Sequence, residues 1–220
     1  MKRLLLYVHF NKYNRVSSHV YYQLTQMRPL FSKVVFISNS QVSEHDYQKL
    51  VDLHLMDNFI QRENVGFDFA AWRDGMTHVG FDDITTYDVV TIMNDTCFGP
   101  LWDIKDYYLN YEANDQVDFW GLTNNRRTKK SRQTQGFPEH IQSYFITFKK
   151  PVIASSAFRN FWENVKNHTD VQEVINDYET KVTTTFLAAG FRYQTVFDTV
   201  NEDTTGMLHP DFLTIIQRLF

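Results

Sequence analysis

The chain of 220 residues holds 22 Lys and Arg against 26 Asp and Glu, a formal net charge of -4, with 43% hydrophobic and 22% charged residues. That balance excludes a disordered, collagenous or coiled-coil chain and leaves no basic stripe of the kind that drives nucleic-acid binding. The length suits a single α/β unit over residues 1–220 with a core of its own.

Leu4 to Phe10 opens the chain as a continuous apolar run ended by polar residues, the pattern of a strand buried on both faces. It is too short, and broken too early by His9 and Asn11, for a secretory or membrane-spanning segment. Ser17 and Ser18 then precede Val20, Tyr21, Leu24 and Met27 at helical spacing, closed by Pro29, and Lys33 to Asn39 is a second strand. A helix follows from Ser43, with Tyr47, Leu50, Val51 and Leu55 on one face, and Asn58 to Arg62 is a short third strand. Asp68 to Met76 reads as a helix after a glycine turn, and Asp88 to Asn94 as the most apolar strand. This alternation predicts a mostly parallel central sheet with helices on both faces and ligands at the carboxyl ends of the strands.

After Pro100 the pattern changes. Asp118 to Thr123 and Ile141 to Lys149 read as strands, and Asn124 to Gly136 between them, with Arg126, Arg127, Lys129, Lys130 and Arg132, reads as a mobile basic loop. Phe158 to Val165 and Val171 to Ala189 have helical spacing, the second carrying Val174, Ile175, Tyr178, Val182 and Phe186 and closed by Gly190. Phe191 to Phe197 is the last strand. From Phe212 to Phe220 an amphipathic helical pattern stops without a cap, which marks the sequence as a piece of a longer protein continuing past residue 220. Cys97 is the single cysteine, so no internal disulfide can form and a reducing compartment, the cytoplasm, is expected. With 19 Phe and 12 Tyr, the 16% aromatic content exceeds what a core of this size needs, and some rings are expected to line a groove.

Three polar clusters fall at predicted strand ends: His9 with Asn11, Asn39 with Ser40, and Asn94-Asp95-Thr96. In an open α/β sheet they would converge on the crevice where amides and hydroxyls suit a nucleotide base and ribose. The stretch from Asn64 to Gly75 adds Gly66 for a tight turn, Asp68 as a helix cap, and Arg73, placed either to meet a phosphate or to stand solvated on the surface. Asp95 leaves the end of a buried strand, where it can hold Mg²⁺ or Mn²⁺ bridging a diphosphate or can cap the following turn.

The strings at 4–10, 64–73 (Asn-Val-Gly-Phe-Asp-Phe-Ala-Ala-Trp-Arg), 93–100 (Met-Asn-Asp-Thr-Cys-Phe-Gly-Pro), 119–123 and 140–145 resemble the rhamnan synthesis protein F family of bacterial polysaccharide assembly. The resemblance implies a glycosyltransferase A-like nucleotide-binding sandwich and rhamnosyl transfer with inversion. The implied donor is a nucleotide sugar such as dTDP-L-rhamnose, and the acceptor a lipid-linked or growing glycan. Beside the resemblance, the five basic residues of the loop from Asn124 to Gly136 suit either a lid or lipid contact, peripheral at the inner face of the membrane, or a merely solvated connector. Asn94-Asp95-Thr96 stands where such enzymes carry Asp-x-Asp, so a metal on Asp95 is in question, and Arg73 or the basic loop is the alternative partner for the diphosphate. By the same resemblance Glu179 is the candidate base, with Asp177 as its alternative, because inversion needs one carboxylate to deprotonate the acceptor. His140, Gln142, Trp120, Arg126 and Arg127 are the expected acceptor or phosphate contacts, and His209 a further metal ligand. The alternative from another class is a non-catalytic glycan-binding or scaffold module, which the aromatic excess and the altered acidic motif would suit.

Overall fold

The computed structural model describes residues 1–125 and 136–198. In chain order its strands are β1 (Arg3–His9), β2 (Lys33–Ser38), β3 (Asn58–Gln61), β4 (Val89–Asn94), β5 (Phe119–Asn125), β6 (His140–Ile141), β7 (Phe145–Lys149) and β8 (Tyr193–Phe197). The helices are α1 (Ser18–Met27), α2 (Glu44–Asp52), α3 (Phe67–Val79), α4 (Phe81–Ile84), α5 (Lys105–Ala113), α6 (Lys150–Ile153), α7 (Ser156–Glu163), α8 (Val171–Val174) and α9 (Thr180–Ala188). The sheet runs in the order β3-β2-β1-β4-β7-β5-β6, with β8 paired to β5.

The first four strands pair in parallel, as their connecting helices require, with Leu6 opposite both Val35 and Ile92. Alternate residues of β1 face opposite layers. Leu4, Leu6 and Val8 pack under α3, α7 and α9 against Trp72, Trp162 and Phe186, while Leu5 and Tyr7 pack under α1, α2 and α5 against Leu24, Leu50 and Tyr108. That two-sided burial is why the strand reads as an unbroken apolar run.

The second half departs from simple alternation. β7 runs antiparallel between β4 and β5, and β8 returns parallel to β5. The expected strand from Ile141 to Lys149 is broken into β6 and β7 by a turn at 142–144. Because β7 is antiparallel, with Phe145 opposite Met93, this turn lies at the same sheet edge as the carboxyl end of β4. Helix α5 was not among the expected elements: only Tyr108 of its residues is buried, so it lacks a stripe that sequence can show. Val171 to Ala189 is helical throughout, but residues Ile175–Glu179 widen into a π-helical turn, which advances the register before α9. Among the described residues, no helix is long and apolar enough to cross a membrane.

Candidate active site

At the ends of β1 and β2 the polar clusters do converge. His9 is fully buried, its Nδ1 3.0 Å from Ser38 Oγ and its Nε2 donating to Arg15 O at 3.1 Å, with its ring stacked on Phe36. Burial lowers its pKa, so the ring is held neutral and ties the β1 loop to β2. Asn11 N donates to Ser40 Oγ at 2.7 Å and Ser40 Oγ donates back to Asn11 O at 3.0 Å. Asn39 is also buried, and its Oδ1 accepts from Arg62 Nη1 at 2.7 Å. A guanidinium can only donate, so this contact fixes the amide and leaves Nδ2 as the free end, buried and without a partner. Asn39, Ser40 and Arg62 line a cleft of about 320 Å³ together with Asn14, Gln41, Gln61 and Glu63. Asn64 lies half-buried in the following β3–α3 connection.

At the end of β4, Asn94 Nδ2 donates to Asp68 Oδ2 at 2.7 Å, and Asn94 Oδ1 accepts from Thr96 N at 3.1 Å. Asp68 therefore does not cap α3, as the sequence suggested. The position before the helix is Gly66, at φ 73°, where an added Cβ would collide with Ala70, and Asp68 in the first turn is turned to Asn94. Asp95 accepts from Phe10 N at 3.3 Å, and His19 Nε2 donates to the Asp95 carbonyl at 3.1 Å. Burial raises the Asp95 carboxyl to about 7, and the negative charge of Asp68 pushes the same way. Asp68 is raised too, by burial first and then by the charge of Glu179. The three acids thus share one electrostatic neighbourhood.

Glu179 sits on the π-helical turn and its Oε1 accepts from Ser143 Oγ at 3.1 Å. Asp177 is held by other partners, Lys181 Nζ at 2.9 Å and His168 Nε2 at 3.2 Å. Its hydrogen bond to Lys181 lowers its pKa. The turn that separates β6 from β7 brings Ser143 and Tyr144 to the crevice, and Tyr144 O accepts from Asn94 N at 3.2 Å. Neither these two residues nor Arg62 was singled out from sequence. The only signal for them was the polar Gln-Ser inside an otherwise apolar strand pattern and an arginine at a strand end.

Several expected contacts stand elsewhere. Trp120 is fully buried, stacked on Tyr111 at 4.7 Å and edge-on to Tyr108, so it is a core residue and not an acceptor contact. His140 is buried as well, donating from Nδ1 to Pro138 O at 2.8 Å. Gln142 is tied to Thr123 Oγ1 and Asn125 Oδ1. Arg73, a candidate for the diphosphate, bonds Asp74 Oδ1 at 2.6 Å, Asn167 Oδ1 at 2.8 Å and Val165 O at 2.5 Å, fastening α3 to the segment after α7. Arg126, Arg127 and the rest of the basic loop to 135 lie outside the described residues, as do His209 and the 212–220 pattern. No three His, Cys, Asp or Glu side chains among the described residues are grouped to hold a metal ion. Asp95 alone suits a hard divalent ion only if diphosphate oxygens complete the shell.

A mixed sheet whose parallel half ends in this polar crevice, flanked by an antiparallel strand and covered by helices on both faces, is a glycosyltransferase A-like fold. Within that class the chain belongs to the rhamnan synthesis protein F family, whose model matches residues 34–219. It is 31% identical over 178 residues to the uncharacterized protein y4gN of Sinorhizobium fredii, a match covering 78% of this chain and 43% of that protein. The chain spans about half the length of the curated relatives it matches. Its fold is similar to that of a mannosyltransferase from Pyrobaculum calidifontis in complex with GDP-Man and Mn²⁺, with a TM-score of 0.54 at 13% identity, covering 92% of this chain and 58% of that one. It is also similar to 4-diphosphocytidyl-2C-methyl-D-erythritol synthase, with a TM-score of 0.52 at 11% identity, covering 99% and 97% of the two chains.

Proposed function

We propose that the chain is the donor-binding and catalytic unit of an inverting glycosyltransferase that moves rhamnose from a nucleotide sugar such as dTDP-L-rhamnose to a lipid-linked or growing glycan. The observation that carries this reading is the meeting of Glu179, Ser143, Asp68 and Asp95 around Asn94, beside a cleft lined by Asn39, whose buried amide nitrogen has no partner. An unpaired buried donor costs about 1–3 kcal/mol, which a bound acceptor atom recovers. Asn39 Nδ2 suits a carbonyl of thymine or uracil, and Ser40 and Gln61 are polar groups near it for the nucleoside.

With the nucleoside in that cleft, the diphosphate runs toward Asn94-Asp95-Thr96 and the sugar toward Glu179. A Mg²⁺ or Mn²⁺ ion held by Asp95 and the diphosphate would neutralise charge on the leaving group. Glu179 takes the proton of the acceptor hydroxyl as its oxygen bonds the anomeric carbon, and the bond from that carbon to the diphosphate breaks, releasing the nucleoside diphosphate. Ser143 donates to Glu179 and so aims the carboxylate. Attack from the face opposite the leaving group inverts the anomeric centre. The test is transfer with dTDP-L-rhamnose and a rhamnose-terminated acceptor, the product anomer read by NMR: an α-linked product from a β-linked donor supports the reading. Retention of configuration, or glycan binding with no donor turnover, overturns it.

A further inference from the structure

Much of the aromatic excess lies at one edge of the molecule and is not spent on the core. Phe98 is 78% exposed, Leu101 77% and Trp102 54%, all on the connection that follows Asp95. The β1 loop beside it exposes Phe10 and Tyr13, and α1 adds Tyr22. These segments are joined. His19 packs on the Phe98 ring at 4.6 Å, Tyr22 OH donates to Pro100 O at 2.9 Å, and Phe10 N donates to Asp95. Both loops leave the carboxyl ends of adjacent strands, β1 and β4, so they stand on the rim of the crevice.

Large apolar side chains gathered in this way on the surface mark a contact. The charge beside them says what kind. The β1 loop carries Lys12 and Arg15, both exposed, and the chain has no Asp or Glu before Glu44, although its net charge is -4. Lys12 Nζ lies 4.9 Å from the centre of the Tyr13 ring, a basic group and an aromatic ring side by side. Lys105 follows the shelf, with Asp103 as the exposed acid within it. Aromatic rings with adjacent cations are the composition of a surface that lies in the headgroup layer of an anionic bilayer, rings in the interface and cations on the phosphates.

We propose that the rim formed by the β1 loop and the connection after β4 docks on anionic phospholipid, turning the crevice toward the bilayer. The consequence for a lipid-linked acceptor rests on the transferase reading above; the lipid contact itself does not. It is measured by co-sedimentation of the protein with vesicles of phosphatidylcholine alone and of phosphatidylcholine with phosphatidylglycerol. Binding to the anionic vesicles is expected, falling on the order of tenfold or more in Lys12→Glu/Arg15→Glu and likewise in Phe98→Ser/Leu101→Ser. Added salt should weaken the wild type and the apolar variant but change the charge-reversal variant little. All four residues are exposed, so circular dichroism and nucleotide-induced thermal stabilisation should match wild type, which separates failure here from failure of the transferase reading. No binding to anionic vesicles, or binding untouched by both double variants, overturns the proposal. So does loss in Phe98→Ser/Leu101→Ser of binding to a soluble rhamnose oligosaccharide with vesicle binding intact, which would make the shelf a glycan subsite.

Discussion

In the half of the sheet from β3 to β4, the polar groups at the strand ends are bonded to one another: His9 to Ser38, the Asn11 backbone to Ser40, Asn39 to Arg62 and Asn94 to Asp68. In the half from β7 to β8 the corresponding groups hang on irregular backbone, Ser143 on a turn between two strands and Glu179 on a π-helical turn. The first half is a fixed cradle with one unmet donor. The second half carries Glu179, the proposed base, on a local departure from regular structure, and π turns often occur at functional sites. On the proposed reading, binding and chemistry rest on these two different kinds of support, and substitutions should separate them.

The largest expected effect lies in the second half. Glu179→Gln should keep nucleotide affinity and lose transfer by a factor on the order of 10² to 10⁴. Asp177→Asn, which removes partners of Lys181 and His168 away from Ser143, should lose far less, and steady-state kinetics on the two variants decide between the acids. If Asp177→Asn is the inactive one, the assignment of the base is wrong.

Next come the two close approaches that hold each half. At Gly121 on β5 an added Cβ would overlap the side chain of Ile141 and come 2.9 Å from the Phe145 carbonyl, which as backbone cannot yield. Gly121→Ala should therefore cost about 1–3 kcal/mol in denaturant unfolding. Gly75→Ala meets only the flexible tip of Ile37 and the edge of Leu6, and should cost less. Equal costs would show that the second half is not the more tightly interlocked at this point.

A smaller effect tests the cradle. Cytosine presents an amine where thymine and uracil present a carbonyl, so CDP should bind about tenfold more weakly than dTDP or UDP, and Asn39→Ala should erase that preference. Calorimetric titration of the three nucleotides reads both. Equal affinities in the wild type would remove Asn39 from base recognition.

The smallest effect is at the foot of β8. Burial alone would raise Asp118, but its hydrogen bonds from Arg192 outweigh that and hold its carboxyl below the ordinary aspartate range. A depressed carboxylate adds stability above its unfolded pKa and loses it as the pH falls through that value and below. Asp118→Asn should lower the melting temperature slightly at pH 7, with the difference from wild type shrinking below about pH 4. A difference independent of pH would mean that packing, not charge, is what Asp118 contributes.

The same contrast explains what could be read from the sequence. β1, β2 and β4 and the helices α1 to α3 were readable because two-sided burial writes continuous apolar runs and helical stripes, and the polar residues that end those runs had to meet at one edge. The order of the second half was not, since nothing local tells a strand such as Phe145–Lys149 that it will lie antiparallel beside β4. Helix α5 buries only Tyr108, and the split between β6 and β7 rests on a turn without Gly or Pro. Glu179 and Asp177 could be proposed from the resemblance, but their different partners, Ser143 for the one and Lys181 with His168 for the other, are visible only in the structure. Trp120 looked available because a tryptophan beside a glycine says nothing about which layer it faces. Arg73 looked free because Val165 and Asn167, its partners besides the adjacent Asp74, lie more than ninety residues away.

On the proposed reading a nucleoside diphosphate spans from the cleft at the ends of β2 and β3 to Asp95 after β4. Thermal unfolding with dTDP and UDP, with and without Mn²⁺, tests it most directly, because a ligand bound only by the native state raises the melting temperature by mass action. A concentration-dependent rise is expected for the wild type, lost or strongly reduced in Asp95→Ala, with that variant folded. No rise with any nucleotide, or an equal rise in Asp95→Ala, would contradict it.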